Sequence, residues 1–332
     1  MQKMQKLIEL AFKIGRWADS KLKWFATGMT IAGAAVLVYV LMHVHNVAIL
    51  DPKGPIARQE LHLMLLATVI MLFVVIPVFV LTIVISIRYH DSNKDAKYDP
   101  DWDRDNRLET LWWGIPCVII AALAVITWTS SHTLDPYRPI SSSKPEMIVQ
   151  VVAMDWKWLF IYPQQNIATV NFLEFPKDTP VAFQITSDAP MNSFWIPQLG
   201  GQIYAMAGMT TQLHLMADNT GTYNGLSSNI SGVGFAGMTF KAKSVSQGDF
   251  NNWVSSVKQS PNHLTASAYR SLSRPSQNNP VQYFASGENG LYDNIVMKYM
   301  PRMPSTNSNL NGQTSPMTAS SSTSSMPNMD MQ

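Results

Sequence analysis

The sequence predicts membrane-spanning helices followed by an all-β domain and a short helical extension. Three observations lead there. Hydrophobic residues make up 46 % of the 332 and charged residues only 14 %, and the low charge is distributed unevenly, as membrane spans require. The long apolar runs all lie before about residue 130. From residue 146 onward the pattern changes to short runs of β-formers between turn signals.

Residues 1–23 carry Lys3, Lys6, Lys13, Arg16, Lys21 and Lys23. Leu7, Ile8, Leu10, Phe12 and Ile14 lie among them, which suits a short interfacial amphipathic helix. The apolar run 24–42 has two readings. One is the core of a signal peptide behind a charged leader. The other is a retained span of the ~20 residues that a bilayer needs. No clear A-x-A cleavage site follows the run, so the retained span is favoured. After a polar loop over 43–60, a 27-residue run at 61–87 is long enough to span with tilt, and Pro77 within it removes one helical hydrogen bond. A highly charged segment follows at 88–109, then a third apolar run at 111–128 with Trp112, Trp113 and Trp128 placed like interfacial anchors.

Basic residues set the orientation. The N-terminal segment carries six, the 43–60 loop two (Lys53, Arg58), and the 88–109 loop five (Arg88, Lys94, Lys97, Arg104, Arg107). The positive-inside rule places the N-terminus and the 88–109 loop in the cytoplasm and everything after residue 130 outside. A net charge of +2 points to no nucleic-acid partner.

The runs 147–153, 156–162, 167–175, 179–187, 203–209, 211–217 and 238–245 read as strands, punctuated by Pro163, Pro176, Pro180 and Asn219 to Gly221. Strands at this spacing suggest a sandwich or barrel. Residues 246–300 read as a helical extension, with Ser246 and Asp249 as a capping box and 291–300 as a second short helix. The tail 301–332 is rich in Ser, Thr, Asn and Met and reads as disordered.

Metal chemistry is poorly supplied. Cys117 is the only cysteine and lies in an apolar run, so there is neither a disulfide framework nor a two-cysteine metal site. Within the β-region, His214 is the one histidine; it alternates with Leu213 and Leu215 and reads as a surface strand residue. His43 and His45 are two apart and do not share a helix face. Met317, Met326, Met329 and Met331 read as tail composition, although clustered thioethers can bind Cu(I).

Four segments carry a family resemblance: SNKDAKYDPDW (92–102), MDWKWLFIYPQQNIATVN (154–171), MNSFWIPQLGGQIYAMAGM (191–209) and GTYNGLSSNISGVGFAGMTF (221–240). Together they resemble the haem-copper oxidase subunit II family, over roughly residues 45–300. In the copper-bearing members, two Cys four residues apart bridge two copper ions, with two His, a backbone carbonyl and a Met completing the set. Laid on that pattern, Ser227 and Ser231 take the Cys positions, Asn229 the carbonyl position, and Asn192 and Phe235 the His positions. Met238 is retained. Serine has no thiolate and phenylalanine no lone pair, so the set is not a copper site. A loop of this shape without ligands is that of the quinol-oxidase branch. His45 stands where lipoprotein relatives carry a Cys, which argues against a lipid anchor.

The resemblance implies a cupredoxin-type Greek-key fold for residues 146–245, on a transmembrane region over 24–130. It implies a non-redox subunit of a proton-pumping ubiquinol oxidase in a bacterial inner membrane, with the β-domain in the periplasm. Haems, copper and the quinone site would belong to the partner subunit I, with no cofactor in this chain. The run Trp156, Lys157 and Trp158, which takes electrons from cytochrome c in copper-bearing relatives, reads here as packing at a domain surface. The family also places an acid of subunit II near the mouth of a proton-uptake path; Glu109 is the candidate, and neighbouring Asp105 could serve equally well. Two other readings remain open: a periplasmic electron-transfer cupredoxin, and a membrane-anchored binding or assembly module without an oxidase.

Overall fold

The computed structural model describes residues 33, 39, 47–90, 93 and 103–300. The expected span over 24–42 therefore lies outside the described residues, apart from helical Gly33 and Tyr39, as do the segment 1–23 and the tail 301–332.

Helix α1 spans Pro55–Arg88 and helix α2 Asn106–Thr133. Both start before their apolar runs, because local caps rather than hydropathy set helix starts. Pro55 occupies the first turn of α1, where its missing N–H costs nothing. Asp105 caps α2, its Oδ1 accepting from the N–H of Arg107 at 2.9 Å and of Leu108 at 3.2 Å. At 34 residues, α1 is about 50 Å long against a hydrocarbon core of about 30 Å. No residue in the most apolar stretch of either helix is buried, so both offer apolar flanks to lipid or to partner helices.

The start of α1 is fastened to the β-domain. The Lys53 N–H donates to Gln198 O at 2.7 Å and Ala57 N–H to Leu199 O at 3.2 Å. Arg58 pairs with Asp218. Gly54 lies so close to Met216 that an added Cβ would sit 2.2 Å from its carbonyl oxygen, which fixes glycine there.

The β-domain is two packed sheets. One holds β1 (Met147–Met154), β2 (Lys157–Tyr162), β3 (Ile167–Val170), β5 (Val181–Ser187), β8 (Thr211–Leu215) and β11 (Gln282–Phe284) in the order β11-β3-β2-β1-β5-β8. The other holds β4 (Phe172–Pro176), β6 (Asn192–Trp195), β7 (Ile203–Ala205), β9 (Gly221–Ser227) and β10 (Thr239–Val245) in the order β4-β10-β9-β6-β7. β1 runs parallel to β5, and β4 parallel to β10. The expected single strand 167–175 is two strands in different sheets. Asn171 turns the chain between them at φ 55°, a left-handed conformation that Asn tolerates better than most residues. β6, β9 and β11 were not expected as strands.

The inner faces meet over an aromatic core. Phe194 stacks on Phe240 with centroids 5.2 Å apart, and Trp158 packs edge-on to both. Gly225 faces Phe240 in register, and a Cβ there would enter its ring.

The C-terminal extension is not purely helical. It comprises α3 (Gln247–Val257), α4 (Ala266–Leu272), β11 and α5 (Leu291–Met297). Ser246 caps α3, its Oγ accepting from the Asp249 N–H at 3.1 Å. Leu264, Tyr269, Phe284, Leu291, Tyr292, Ile295 and Val296 bury the outer face of the larger sheet against Val152, Met154, Leu159, Ile161, Ala168 and Val170. This second burial is why β1 and β2 are apolar on both faces rather than alternating.

Candidate functional site

Four of the six residues singled out, Asn192, Ser227, Asn229 and Met238, meet at one end of the sandwich. β6 pairs with the end of β9, setting Phe194 opposite Ser227. Asn192 and Ser227 are buried, and the Ser227 Oγ donates to Asn192 Oδ1 at 3.0 Å while accepting the N–H of Ser193 at 3.3 Å. The Asn229 carbonyl is 3.3 Å from the same hydroxyl. The Asn192 amide donates to Pro190 O and the Asn229 amide to Met191 O, each at 2.8 Å. Met238 is buried in the core, its carbonyl accepting from the Ser227 N–H at 3.3 Å. Asn192, Ser227, Asn229 and Met238 thus form one hydrogen-bonded cluster.

Ser231 and Phe235 lie on the connecting loop. The Ser231 Oγ is buried without a hydrogen-bond partner among the described residues. Phe235 opens a single 3₁₀ turn, Phe235–Gly237, closed by the Met238 N–H donating to Phe235 O at 3.0 Å. The donors assembled here are neutral amides, hydroxyls and a thioether. They lack the thiolate and imidazole that a copper site of this type requires, so the residues do not fit that metal.

The Trp156 indole lies against the loop at this end of the domain. Gly234 backs onto the Trp156 indole so closely that a Cβ would sit 2.3 Å from the ring. Lys157 and Trp158 are not surface residues as expected. Trp158 is fully buried in the core. Lys157 is 1 % exposed, its Nζ donating to Arg274 O at 2.8 Å and Ser276 Oγ at 2.5 Å. Burial pulls its pKa below the ordinary lysine value, partly offset by nearby Asp155. The extension lies across the strand face that a single-strand pattern left open.

His214 is also a correction: it is buried, not at the surface. Residues 134–141 cross its face, and its Nδ1 lies 2.9 Å from Pro136 O. A carbonyl only accepts, so Nδ1 carries a proton, while Nε2 faces Glu146 Oε1 at 3.4 Å. Strand alternation identified the face but not what covers it.

Glu109 sits in the first turn of α2, half-exposed and 3.8 Å from Arg104. It is remote in sequence from the polar cluster and makes no contact with it.

Sequence reasoning missed Asp188. Its buried carboxylate accepts from Lys298 Nζ, Tyr269 OH and Tyr299 OH, each at 2.6 Å. Burial pushes its pKa up, but the hydrogen bonds from Lys298, Tyr269 and Tyr299 outweigh that and hold it below the ordinary aspartate value. The clasp fastens the extension to the loop after β5, beside the polar cluster. No local signal identifies it, because its partners lie 81 to 111 residues away.

The fold and this site together define a membrane-anchored, cupredoxin-like domain. Residues 164–245 match the family model described as cytochrome c oxidase subunit II, periplasmic domain, and residues 258–303 match the COX aromatic rich motif. Cytochrome bo(3) ubiquinol oxidase subunit 2 of Pseudomonas putida is 53 % identical over 254 residues, 76 % of this chain and 81 % of that protein. Ubiquinol oxidase subunit 2 of Acetobacter aceti is 51 % identical over 254 residues, covering 76 % and 82 %. Quinol oxidase subunit 2 of Bacillus subtilis is 41 % identical over 249 residues, covering 74 % and 78 %. The chain belongs to the quinol oxidase subunit 2 family.

Proposed function

We propose that this chain is the non-redox subunit II of a proton-translocating ubiquinol oxidase, which oxidises ubiquinol and reduces O₂ to water. One observation carries the reading. A relative named as a ubiquinol oxidase subunit is 53 % identical over three quarters of the chain. The chemistry of the cluster around Ser227 supports it, since neutral oxygen and amide groups hold no electron-transfer metal.

In this reading the helices pack on a haem- and copper-bearing subunit I in a bacterial inner membrane. The β-domain stands over the outer face of that subunit in the periplasm. The fastening of α1 to the loops 198–201 and 216–218 lets the helices orient the domain rigidly. Three spans, 24–42 included, place the 88–109 loop and Glu109 on the cytoplasmic side. There a carboxylate at a helix start collects protons from water for a path through subunit I. The test is expression of the full chain in cells lacking their own subunit II. Co-purification of haem and ubiquinol-dependent oxygen uptake is expected, with no copper bound to the isolated chain. Stoichiometric copper on the chain would instead mean an electron-transfer cupredoxin, and assembly without haem a non-oxidase module.

A further inference from the structure

Two cavities meet where the helices enter the β-domain. One, of about 350 Å³, is an apolar groove between the helices, lined by Leu63, Leu66 and Ala67 on α1 and Leu123 and Ile126 on α2, and reaching Leu134. The other, of about 380 Å³, has a mixed lining in which Glu60, Asp135 and Arg138 stand among apolar side chains, and lies under the β-domain. Leu134 lines both, so the two adjoin at that residue. On α1, Glu60 lines the mixed cavity, and Leu63 and Ala67 the groove. At i, i+3 and i+7 these three lie on one helix stripe. The stripe runs from charged to apolar within two turns.

The mixed cavity holds two carboxylates, Glu60 and Asp135, and one guanidinium, Arg138. Glu60 accepts the Gly201 N–H through Oε1 at 2.9 Å. Arg138 lines the same cavity and makes no ion pair among the described residues; its Nη1 reaches only His132 O, at 3.5 Å. A guanidinium and carboxylates lining one cavity, next to an apolar groove, match an amphiphile whose head carries both charges. We propose that this site binds one zwitterionic glycerophospholipid. Its phosphate faces Arg138, its ammonium faces Glu60, and one acyl chain lies in the groove between α1 and α2. A quinol has a neutral head and would offer neither charge a counter-charge.

The bound lipid would fill the wedge between the helices and the β-domain, holding the domain at a fixed angle over the membrane. The site depends on the chain being membrane-anchored and not on the electron path, so its test is independent of oxidase activity. The assembled complex, purified in detergent, is delipidated and titrated with palmitoyl-oleoyl phosphatidylethanolamine under native mass spectrometry. A diazirine-tagged form of that lipid is photo-cross-linked in parallel. Cross-links are expected to peptides containing residues 61–67 or 123–134. Arg138→Ala and Glu60→Gln should each weaken retention of the lipid about tenfold, as loss of one charge-assisted contact does. Glu60→Gln keeps the acceptor for Gly201, so the fold is preserved. Ala67→Trp, which fills the groove, should abolish the cross-link; if it fails to assemble, the two charge variants decide. Unchanged retention in both charge variants overturns the proposal. So does labelling of the groove by a ubiquinone photoprobe that excludes the phospholipid, or cross-linking of these peptides to a partner subunit instead of lipid.

Discussion

Asp188 and Glu109 are both carboxylates at the ends of elements, and their surroundings assign them opposite work. Asp188 is buried under three donors, so its charge serves structure. Asp188→Ala removes three charge-assisted contacts and strands the buried Tyr269 hydroxyl, at a cost of about 3 kcal/mol. A lower denaturant midpoint for the detergent-solubilised chain, with easier proteolysis after residue 257, is the expected result. The pH dependence has a definite sign. The folded pKa of Asp188 is depressed below 3.8, so its stabilisation is complete above that value and is lost as pH falls below it. In the wild type, protection of the extension should fall off only below about pH 4, and Asp188→Asn should remove that acid-dependent part. Glu109, half-exposed at the start of α2, has no comparable set of donors. Glu109→Gln keeps its shape and removes its charge. The expected outcome is slower oxygen reduction with normal haem content in the assembled oxidase; unchanged turnover would leave Glu109 as a helix-end residue only.

At the scale of elements, Asn171 directs the chain out of one sheet and into the other. Its left-handed φ sets the corner, and its Oδ1 accepts the buried Trp158 N–H at 2.9 Å. Asn171→Ala adds backbone strain to an orphaned buried N–H, together about 3 kcal/mol. Asn171→Gly relieves the strain but not the orphan, so it should fall between Ala and wild type in thermal unfolding of the full chain. If Ala and Gly behave alike, strain is not part of the corner. This corner was illegible in sequence because IATVNFLEF reads as one continuous β-run. By contrast the Ser246 cap of α3 was legible, since its partner is three residues away.

For the whole molecule, membrane topology is the prediction with the widest reach. Six, two and five basic residues on successive flanks set the N-terminus inside and the β-domain outside. An alkaline phosphatase fusion after residue 20 should be inactive, and one after residue 300 active. An active fusion at residue 20 would reverse the orientation and remove Glu109 from the cytoplasmic side.

Sequence alone determined what depends on local pattern and chemical type. Apolar runs specified the helices, short β-former runs specified most strands, and a single cysteine excluded a two-thiolate copper centre. The residues of the polar cluster were legible because they recur at family spacings. The tertiary structure decided what depends on residues far apart in the chain. It brought Glu60 to Gly201 across 141 residues and Lys298 to Asp188 across 110. It also laid the extension over Lys157 and the 134–141 segment over His214. Neither covering is encoded in the strands themselves. A strand's alternation says which side chains share a face, and only the packing of distant segments decides whether that face meets water.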